Sequence, residues 1–346
     1  MARPDRGGSL KTVAIRLAQL TATVVVTWFV ADRVAGLGLT EVRALDLEAW
    51  VINWPLLAAS CAVLLFGYFL SAWLWGRIVS GLGGRAMPAR EVIPLYMVAN
   101  LGRYVPGKIW QVAALATLAR QRGIPAATAT AAAVLLQGIA IASALLVGVG
   151  SLWALADGAA WRWAVPAGVI GTLAVGLTPA VFHFLTESWF RVTRTPEPPA
   201  LQPTDALGWL TLGLLNWVVY AGAFWIMVEG LGLDVAFFAT SSAFAAAYVV
   251  GYLAIFAPAG VGVREASLLA LLSPQLGAGT AGAVAVIARV WTTGVEVIPA
   301  AAFWGRHIGR PIGSEGRPRP EGALVAAEAE GGTEPTKGRG PESNDG

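Results

Sequence analysis

The chain has 346 residues and a formal net charge of +3; 56% of its residues are hydrophobic and 13% are charged. In soluble domains about a quarter of the residues are charged, so this composition excludes a soluble globular protein. The small basic excess does not indicate nucleic-acid binding, because the Lys and Arg residues follow the ends of hydrophobic stretches and form no basic stripe. The sequence therefore predicts an integral membrane protein with no nucleic-acid partner.

Metal-ligating and redox-active residues are rare. The chain contains one cysteine, Cys61, and two histidines, His183 and His307, which lie far apart in sequence. A single cysteine allows neither a disulfide within the chain nor a thiolate metal cluster. Two distant histidines leave little from which to build a zinc site. We therefore expect no metal and no cofactor.

Six hydrophobic stretches are long enough to cross a hydrocarbon core, which takes about 20 helical residues. They predict an all-α membrane protein with a cytoplasmic N-terminus (residues 1–12) and a flippase-like transmembrane domain (residues 13–310). Residues 311–346 are rich in Gly, Pro, Glu and Ser, which predicts a disordered cytoplasmic tail. The predicted spans cover residues 13–31, 54–79, 127–153, 163–182, 207–228 and 281–304.

Two further apolar stretches, residues 92–119 and 236–272, are interrupted near the middle by Pro106-Gly107 and by Pro258-Ala259-Gly260. Such breaks release backbone polar groups that lipid cannot satisfy, so they are tolerated only where protein or a water-filled cavity covers them. The limb that follows the second break is too short to cross a membrane comfortably, which favours a hairpin over two full spans. We therefore expect two re-entrant helical hairpins beside a cavity.

The distribution of Lys and Arg predicts that both ends of the chain lie on the cytoplasmic side of a bacterial cytoplasmic membrane, because the outer loops then hold only Arg33, Arg43 and Arg162. Each half of the domain, residues 13–153 and 163–304, follows the order span, span, hairpin, span. Three crossings per half is an odd number, so the second half would be inverted relative to the first, as in many secondary transporters. A chance match of hydrophobic spacing is the alternative.

The first break carries the basic residues Arg103 and Lys108. Residues 102–108 fit the pattern Gly-x-x-x-x-Gly-Lys, but Ile109 stands where a phosphate-binding loop needs Ser or Thr, and no buried strand precedes it. We therefore do not predict ATP binding. A half-helix that begins after Pro106-Gly107 would instead present free N–H groups and a positive dipole end, which suits an anionic headgroup. Alternatively, the two basic side chains are anchors at the cytoplasmic interface.

Charged residues also lie within apolar stretches of the second half. Arg264 and Glu265 follow the second break, while Arg289 and Glu296 lie seven residues apart on one face of the last span. Charges inside a membrane are costly unless paired, and they often mark ligand or ion pathways. The alternative is a structural tie in which these charges satisfy one another between helices. Polar residues that could line the cavity or hydrogen-bond between helices are Asn100, Gln111, Gln137 and Asn216.

The segments NLGRYVPGKIWQ (residues 100–111) and FAPAGVGVREASLLALL (residues 256–272) resemble the lysylphosphatidylglycerol synthase transmembrane-domain family, also described as flippase-like membrane proteins. The resemblance covers about residues 10–309. The family's first motif, Asn followed by Pro-Gly-Lys or Pro-Gly-Arg, falls on Asn100, Pro106, Gly107 and Lys108. Its second motif, Pro-Gly-Gly-x-Gly-x-Arg-Glu, falls on Pro258, Ala259, Gly260, Gly262, Arg264 and Glu265, with Ala259 in place of Gly. The family's arginine in the last span matches Arg289.

The resemblance implies a lipid flippase or translocase whose partners are membrane lipids. Candidate substrates are a phospholipid, an aminoacylated phospholipid or a lipid linked to polyprenyl phosphate. The synthases of this family carry a soluble aminoacyl-transferase domain after the membrane part, and here only a short tail follows, so we expect no synthase activity. The expected headgroup site comprises Asn100, Arg103, Pro106, Gly107, Lys108, Gln111, Pro258, Gly260, Gly262, Arg264, Glu265, Arg289 and Glu296.

Two other classes of function stay open. One is a membrane scaffold that does not transport lipid and is the partner of a glycosyltransferase or lipid-modifying enzyme. The other is an intramembrane enzyme that acts on a lipid headgroup, for which only Glu265, Glu296 and the tyrosine residues are candidate acid, base or nucleophilic groups. The sequence carries no signal that sets an oligomeric state.

Overall fold

The computed structural model describes residues 50–105, 109–154, 203–254, 257 and 260–307, together with a few isolated positions between 163 and 193. Within these ranges the regular structure is entirely helical, which confirms the all-α prediction for the described part of the chain. A 3₁₀ helix, Leu101–Tyr104, directly follows the α-helix that ends at Asn100. The α-helices are α1 Trp54–Gly81, α2 Ala89–Asn100, α3 Trp110–Arg120, α4 Ala126–Ala154, α5 Pro203–Gly230, α6 Phe237–Leu253, α7 Val263–Leu276 and α8 Ala278–His307.

Four of the described helices, α1, α4, α5 and α8, are long and apolar enough to cross a membrane. They coincide with four of the six predicted spans. The start of α1 is well defined, since the Asn53 side chain accepts a hydrogen bond from the Leu56 amide (3.2 Å) and a proline lies in the first turn. The predicted spans 13–31 and 163–182 lie almost wholly outside the described residues, as do residues 1–12 and 311–346.

Both predicted breaks interrupt the helices where the sequence places them. The chain leaves α2 at Asn100 and enters α3 at Trp110; it leaves α6 at Leu253 and enters α7 at Val263. The two helices of each pair pack against each other. With 11 residues in α3 and 14 in α7, neither second limb has the length of a full crossing. Entry and exit by the same membrane face stays a prediction.

The buried apolar residues form two clusters, and long helices contribute to both. One lies among α1 to α4 and includes the fully buried Trp75 and Leu95. The other is centred on α5, α6 and α8, where Phe224 stacks on Phe244 with ring centroids 4.4 Å apart. Small residues let backbones approach: a Cβ on Gly148 of α4 would lie 2.8 Å from the amide nitrogen of Ala246 on α6. This packing leaves a space between the two clusters.

Candidate functional site

A cavity of about 450 Å³ lies between the helices, and α1 to α8 and the 3₁₀ helix all contribute to its wall. This volume falls in the range of sites that hold a small ligand or a headgroup. Both breaks reach the cavity, the first through Arg103 and Gln111 and the second through Gly260 and Arg264. The polar side chains that the cavity exposes include Arg103, Gln111, Gln137, Asn216, Tyr220 and Arg264.

At the first break, Asn100 organises the chain. It is the last residue of α2, it is 1% exposed, and its Oδ1 atom accepts hydrogen bonds from Arg103 (2.7 Å) and Gln111 (2.6 Å). The 3₁₀ helix can approach the first turn of α3 this closely because residue 102 is glycine. A Cβ on Gly102 would lie 2.6 Å from the Gln111 amide nitrogen. Asn100 and Gly102 together fix where Arg103 and Gln111 enter the cavity.

Glu296 of α8 binds three residues at the first break. Its side chain is 1% exposed, accepts hydrogen bonds from the Asn100 amide and the Tyr104 hydroxyl (2.7 Å), and forms an ion pair with Arg103 (3.3 Å). A carboxylate this deeply buried is stable only when it is paired and hydrogen-bonded, and three donors meet that need here. Glu296 therefore neutralises Arg103 and ties α8 to the 3₁₀ helix.

The second break requires glycine at two positions. Gly260 and Gly262 have φ values of +69° and +81°, in the left-handed region that side chains with a Cβ rarely adopt. Gly260 also packs against the backbone of Gly251 on α6, whose own Cβ position lies 2.9 Å from the Arg264 Cβ. These close approaches bring the start of α7 onto α6 and place Arg264 at the cavity.

Glu265 caps α7 and pairs with α8. Its Oε2 atom accepts a hydrogen bond from the Gly262 amide (2.5 Å), and its Oε1 atom lies 3.5 Å from the Arg289 guanidinium. Arg289 is on the same face of α8 as Glu296, so α8 carries one ion pair to each break. The sequence allowed Arg289 and Glu296 to pair with each other or with Arg264 and Glu265 of the other helix. The structure shows the pairing between helices for Arg289 and Glu265, whereas Glu296 pairs with Arg103.

Arg264 differs from the other two arginines. Its guanidinium lies over the Phe244 ring, 4.8 Å from the ring centroid, and it lines the cavity. Among the described residues it forms no ion pair. Because the two nearby carboxylates, Glu296 and Glu265, pair with Arg103 and Arg289, Arg264 leaves one positive charge in excess at the cavity.

Some of the predicted site residues can be placed and others cannot. Pro106, Gly107, Lys108 and Pro258 lie outside the described residues. The structure gathers the rest into two groups, each attached to α8. The group at the first break is Asn100, Arg103, Gln111 and Glu296, and the group at the second is Gly260, Gly262, Arg264, Glu265 and Arg289.

The sequence pointed to Gln137 and Asn216 as polar groups that either line the cavity or bind another helix, and they do both. Gln137 donates to the Tyr248 hydroxyl (3.1 Å) and Asn216 donates to Ser71 (2.7 Å). The sequence did not assign Tyr68, Ser71 or Tyr220 to the cavity wall, because a tyrosine or serine within an apolar span shows no periodic signal. No cluster of three or more His, Cys, Asp or Glu occurs within the described ranges.

The chain shows no match to a curated protein or to a solved structure. A family model does match it: the one described as lysylphosphatidylglycerol synthase TM region, over residues 13–300 of 346. That match covers both breaks, the residues that line the cavity, the helices α1, α4 and α5, and α8 as far as residue 300. The protein is therefore a multi-pass membrane protein that belongs to the lysylphosphatidylglycerol synthase TM region family.

Proposed function

We propose that this protein is a lipid flippase or translocase that moves a phosphate-bearing, anionic headgroup across the cytoplasmic membrane through the cavity. The observation that carries the proposal is Arg264, a cavity arginine without a carboxylate partner among the described residues. Family membership supports a lipid-related function. The partner in this proposal is the lipid itself.

The charges around the cavity support an anionic ligand. Arg103 is balanced by Glu296 and Arg289 by Glu265, so these four side chains contribute no net charge. Arg264 adds one positive charge, and no Asp or Glu of the described residues lines the cavity. In a membrane, an unbalanced charge is costly and its position marks a ligand or ion pathway. A phosphate would offset that cost through charge-assisted hydrogen bonds to the guanidinium.

The packing of the described helices supports a repeat of the kind that alternating access requires. Helix α2 contacts α3 and α8, and in the same way α6 contacts α7 and α4. Each helix from α5 to α8 begins about 150 residues after its counterpart among α1 to α4. If α5 to α8 are inverted relative to α1 to α4, one broken hairpin enters from each side of the membrane, and the headgroup site lies between the two hairpins.

We propose transport without a chemical step. An intramembrane enzyme would need a free acid, base or nucleophile at the cavity. The two carboxylates beside the breaks, Glu265 and Glu296, are both engaged by arginines and by hydrogen bonds. They hold the helices in place rather than facing the cavity.

The test uses the full chain in liposomes that contain phosphatidylglycerol with a fluorescent label on an acyl chain. Loss of fluorescence after a reductant is added outside reports how fast the lipid changes leaflet. Arg264→Gln should slow this movement about tenfold or more, because a charge-assisted bond contributes about 1.5 to 3 kcal/mol. Arg77→Gln is the matched control: Arg77 also lies over an aromatic ring, that of Trp73 at 5.8 Å, but does not line the cavity.

Two results would contradict the proposal. Equal rates of lipid movement in Arg264→Gln and wild-type protein would show that Arg264 is not part of the headgroup site. No movement of any lipid by folded wild-type protein would favour the scaffold of a glycosyltransferase or lipid-modifying enzyme.

A further inference from the structure

One side of the cavity carries uncharged hydrogen-bonding groups. The Asn216 side-chain amide donates to the Ser71 hydroxyl (2.7 Å), which in turn lies 2.8 Å from the Tyr220 hydroxyl. Asn216 is only 5% exposed, and its Oδ1 atom has no hydrogen-bond partner among the described residues. An unpartnered acceptor buried to this extent costs free energy unless a ligand supplies the donor. All three residues line the cavity.

A second pair of uncharged groups lies in the same cavity wall. Gln137 donates to the Tyr248 hydroxyl (3.1 Å), and both residues line the cavity. A tyrosine hydroxyl both donates and accepts, and an amide carries both kinds of group. This part of the wall can therefore bind a ligand that both donates and accepts hydrogen bonds.

The charge of the cavity separates two kinds of headgroup that could supply a donor to Asn216. An ammonium group only donates, and it would bring a positive charge to a cavity that holds the excess positive charge of Arg264 and has no described carboxylate in its wall. Aromatic rings could bind an ammonium. However, the rings of Tyr220 and Tyr248 already pack edge to face with Trp217, with centroids 5.7 Å and 4.8 Å away.

A hydroxyl group has neither disadvantage. It is uncharged, it can donate to the Asn216 Oδ1 atom, and it can accept from a tyrosine or glutamine of the same wall. A headgroup with several hydroxyls beside a phosphate would place its charge at Arg264 and its hydroxyls at Asn216, Tyr220 and Gln137. Each set of cavity groups would then have a partner of matching chemistry.

Building on the proposed function, we infer that the transported headgroup is a phosphate attached to a polyhydroxyl group, such as a sugar or another polyol, and that Asn216 binds one of its hydroxyls. A site built to hydrogen-bond a hydroxyl rejects an analogue that lacks it, because the buried groups of the site are then left unpaired. The inference thus predicts selection among lipids that carry the same phosphate.

The experiment compares three acyl-labelled lipids in liposomes that contain the full chain. Phosphatidylinositol has a phosphodiester and a ring of hydroxyls, phosphatidylethanol has the same phosphodiester without a donor, and phosphatidylethanolamine has an ammonium. We expect wild-type protein to move phosphatidylinositol about tenfold faster than either of the others. Asn216→Leu should bring the ratio of the phosphatidylinositol and phosphatidylethanol rates close to one.

Ser241→Ala is the matched control, since Ser241 is 4% exposed and also has a buried, unpartnered oxygen but does not line the cavity. It should keep the wild-type ratio. The wild-type ratio tests the inference by itself if Asn216→Leu does not fold.

Equal rates for phosphatidylinositol and phosphatidylethanol in wild type would overturn the inference, as would faster movement of phosphatidylethanolamine or a preserved preference in folded Asn216→Leu protein. The variant Arg264→Gln distinguishes a failure of the polyol inference from a failure of the proposed function. If it slows both anionic lipids while wild type shows no preference between them, the proposed function stands and the polyol inference fails. If wild type moves none of the lipids, the proposed function fails and the inference fails with it.

Discussion

Glu296 offers the sharpest test of how the first break is held. The change Glu296→Gln keeps the size of the side chain but removes the charge that balances Arg103. It also places an N–H group among the donors of Asn100, Arg103 and Tyr104, which all point at the present carboxylate. The variant should therefore be much less stable, and α8 should separate more readily from the 3₁₀ helix.

The expected loss of stability follows from the exposure of the two partners. Glu296 is 1% exposed, but Arg103 is 30% exposed at the cavity and can be partly solvated after the change, so we expect a loss of about 1.5 to 3 kcal/mol, the contribution of a hydrogen bond to a charged group. The matched control is Glu91→Gln. Glu91 pairs with Arg85 at 2.5 Å, but the two side chains are 31% and 50% exposed, and a surface pair contributes about 0 to 1 kcal/mol.

The assay is the unfolding free energy of purified protein in mixed micelles, measured for Glu296→Gln, Arg103→Gln, the double variant and Glu91→Gln. The double variant should lose less than the two single variants together, since it leaves no unpaired charge. If Glu296→Gln were as mild as Glu91→Gln, or if the two single losses simply added, Glu296 would not be the partner that neutralises Arg103.

Three further predictions concern the second break, the topology and the tail. Gly260→Ala should cost about 1 to 3 kcal/mol in the same unfolding assay, because residue 260 has φ +69° and a Cβ there would lie 3.0 Å from a backbone oxygen of α6. Gly222→Ala is the control: no atom lies within 4 Å of its Cβ position, so it should cost almost nothing. In cells with a variant that lacks the native cysteine, Glu41→Cys should react with an impermeant thiol reagent from outside and Arg122→Cys should not; external labelling of residue 122 would refute the predicted orientation. Deletion of residues 314–346 should leave membrane insertion and lipid movement intact, and loss of folded protein on that deletion would show that the tail is part of the fold.

Within the described residues, the sequence by itself determined where the helices lie and where they are broken. An apolar run of about 20 residues in lipid must satisfy its backbone internally, and a helix does this within a single segment. The starts of α1 and α4 therefore fall within one residue of the predicted spans. Pro and Gly stop helices through local sterics, so the breaks before α3 and α7 were also readable from the sequence. The same holds for Gly260 and Gly262, whose positive φ values match the glycine-rich motif.

The tertiary structure alone decided which charges and polar groups meet. Asn100 and Glu296 are 196 positions apart, and no spacing rule joins them. Glu265 pairs with Arg289 rather than with its neighbour Arg264, because successive residues of a helix point in different directions and α8 packs beside only one of them. The same packing leaves Arg264 and Asn216 in the cavity wall, Arg264 without an ion pair and Asn216 with an Oδ1 atom that the described residues do not satisfy. Helix periodicity tells which residues share a face, but the partner of that face depends on how the helices are arranged in three dimensions.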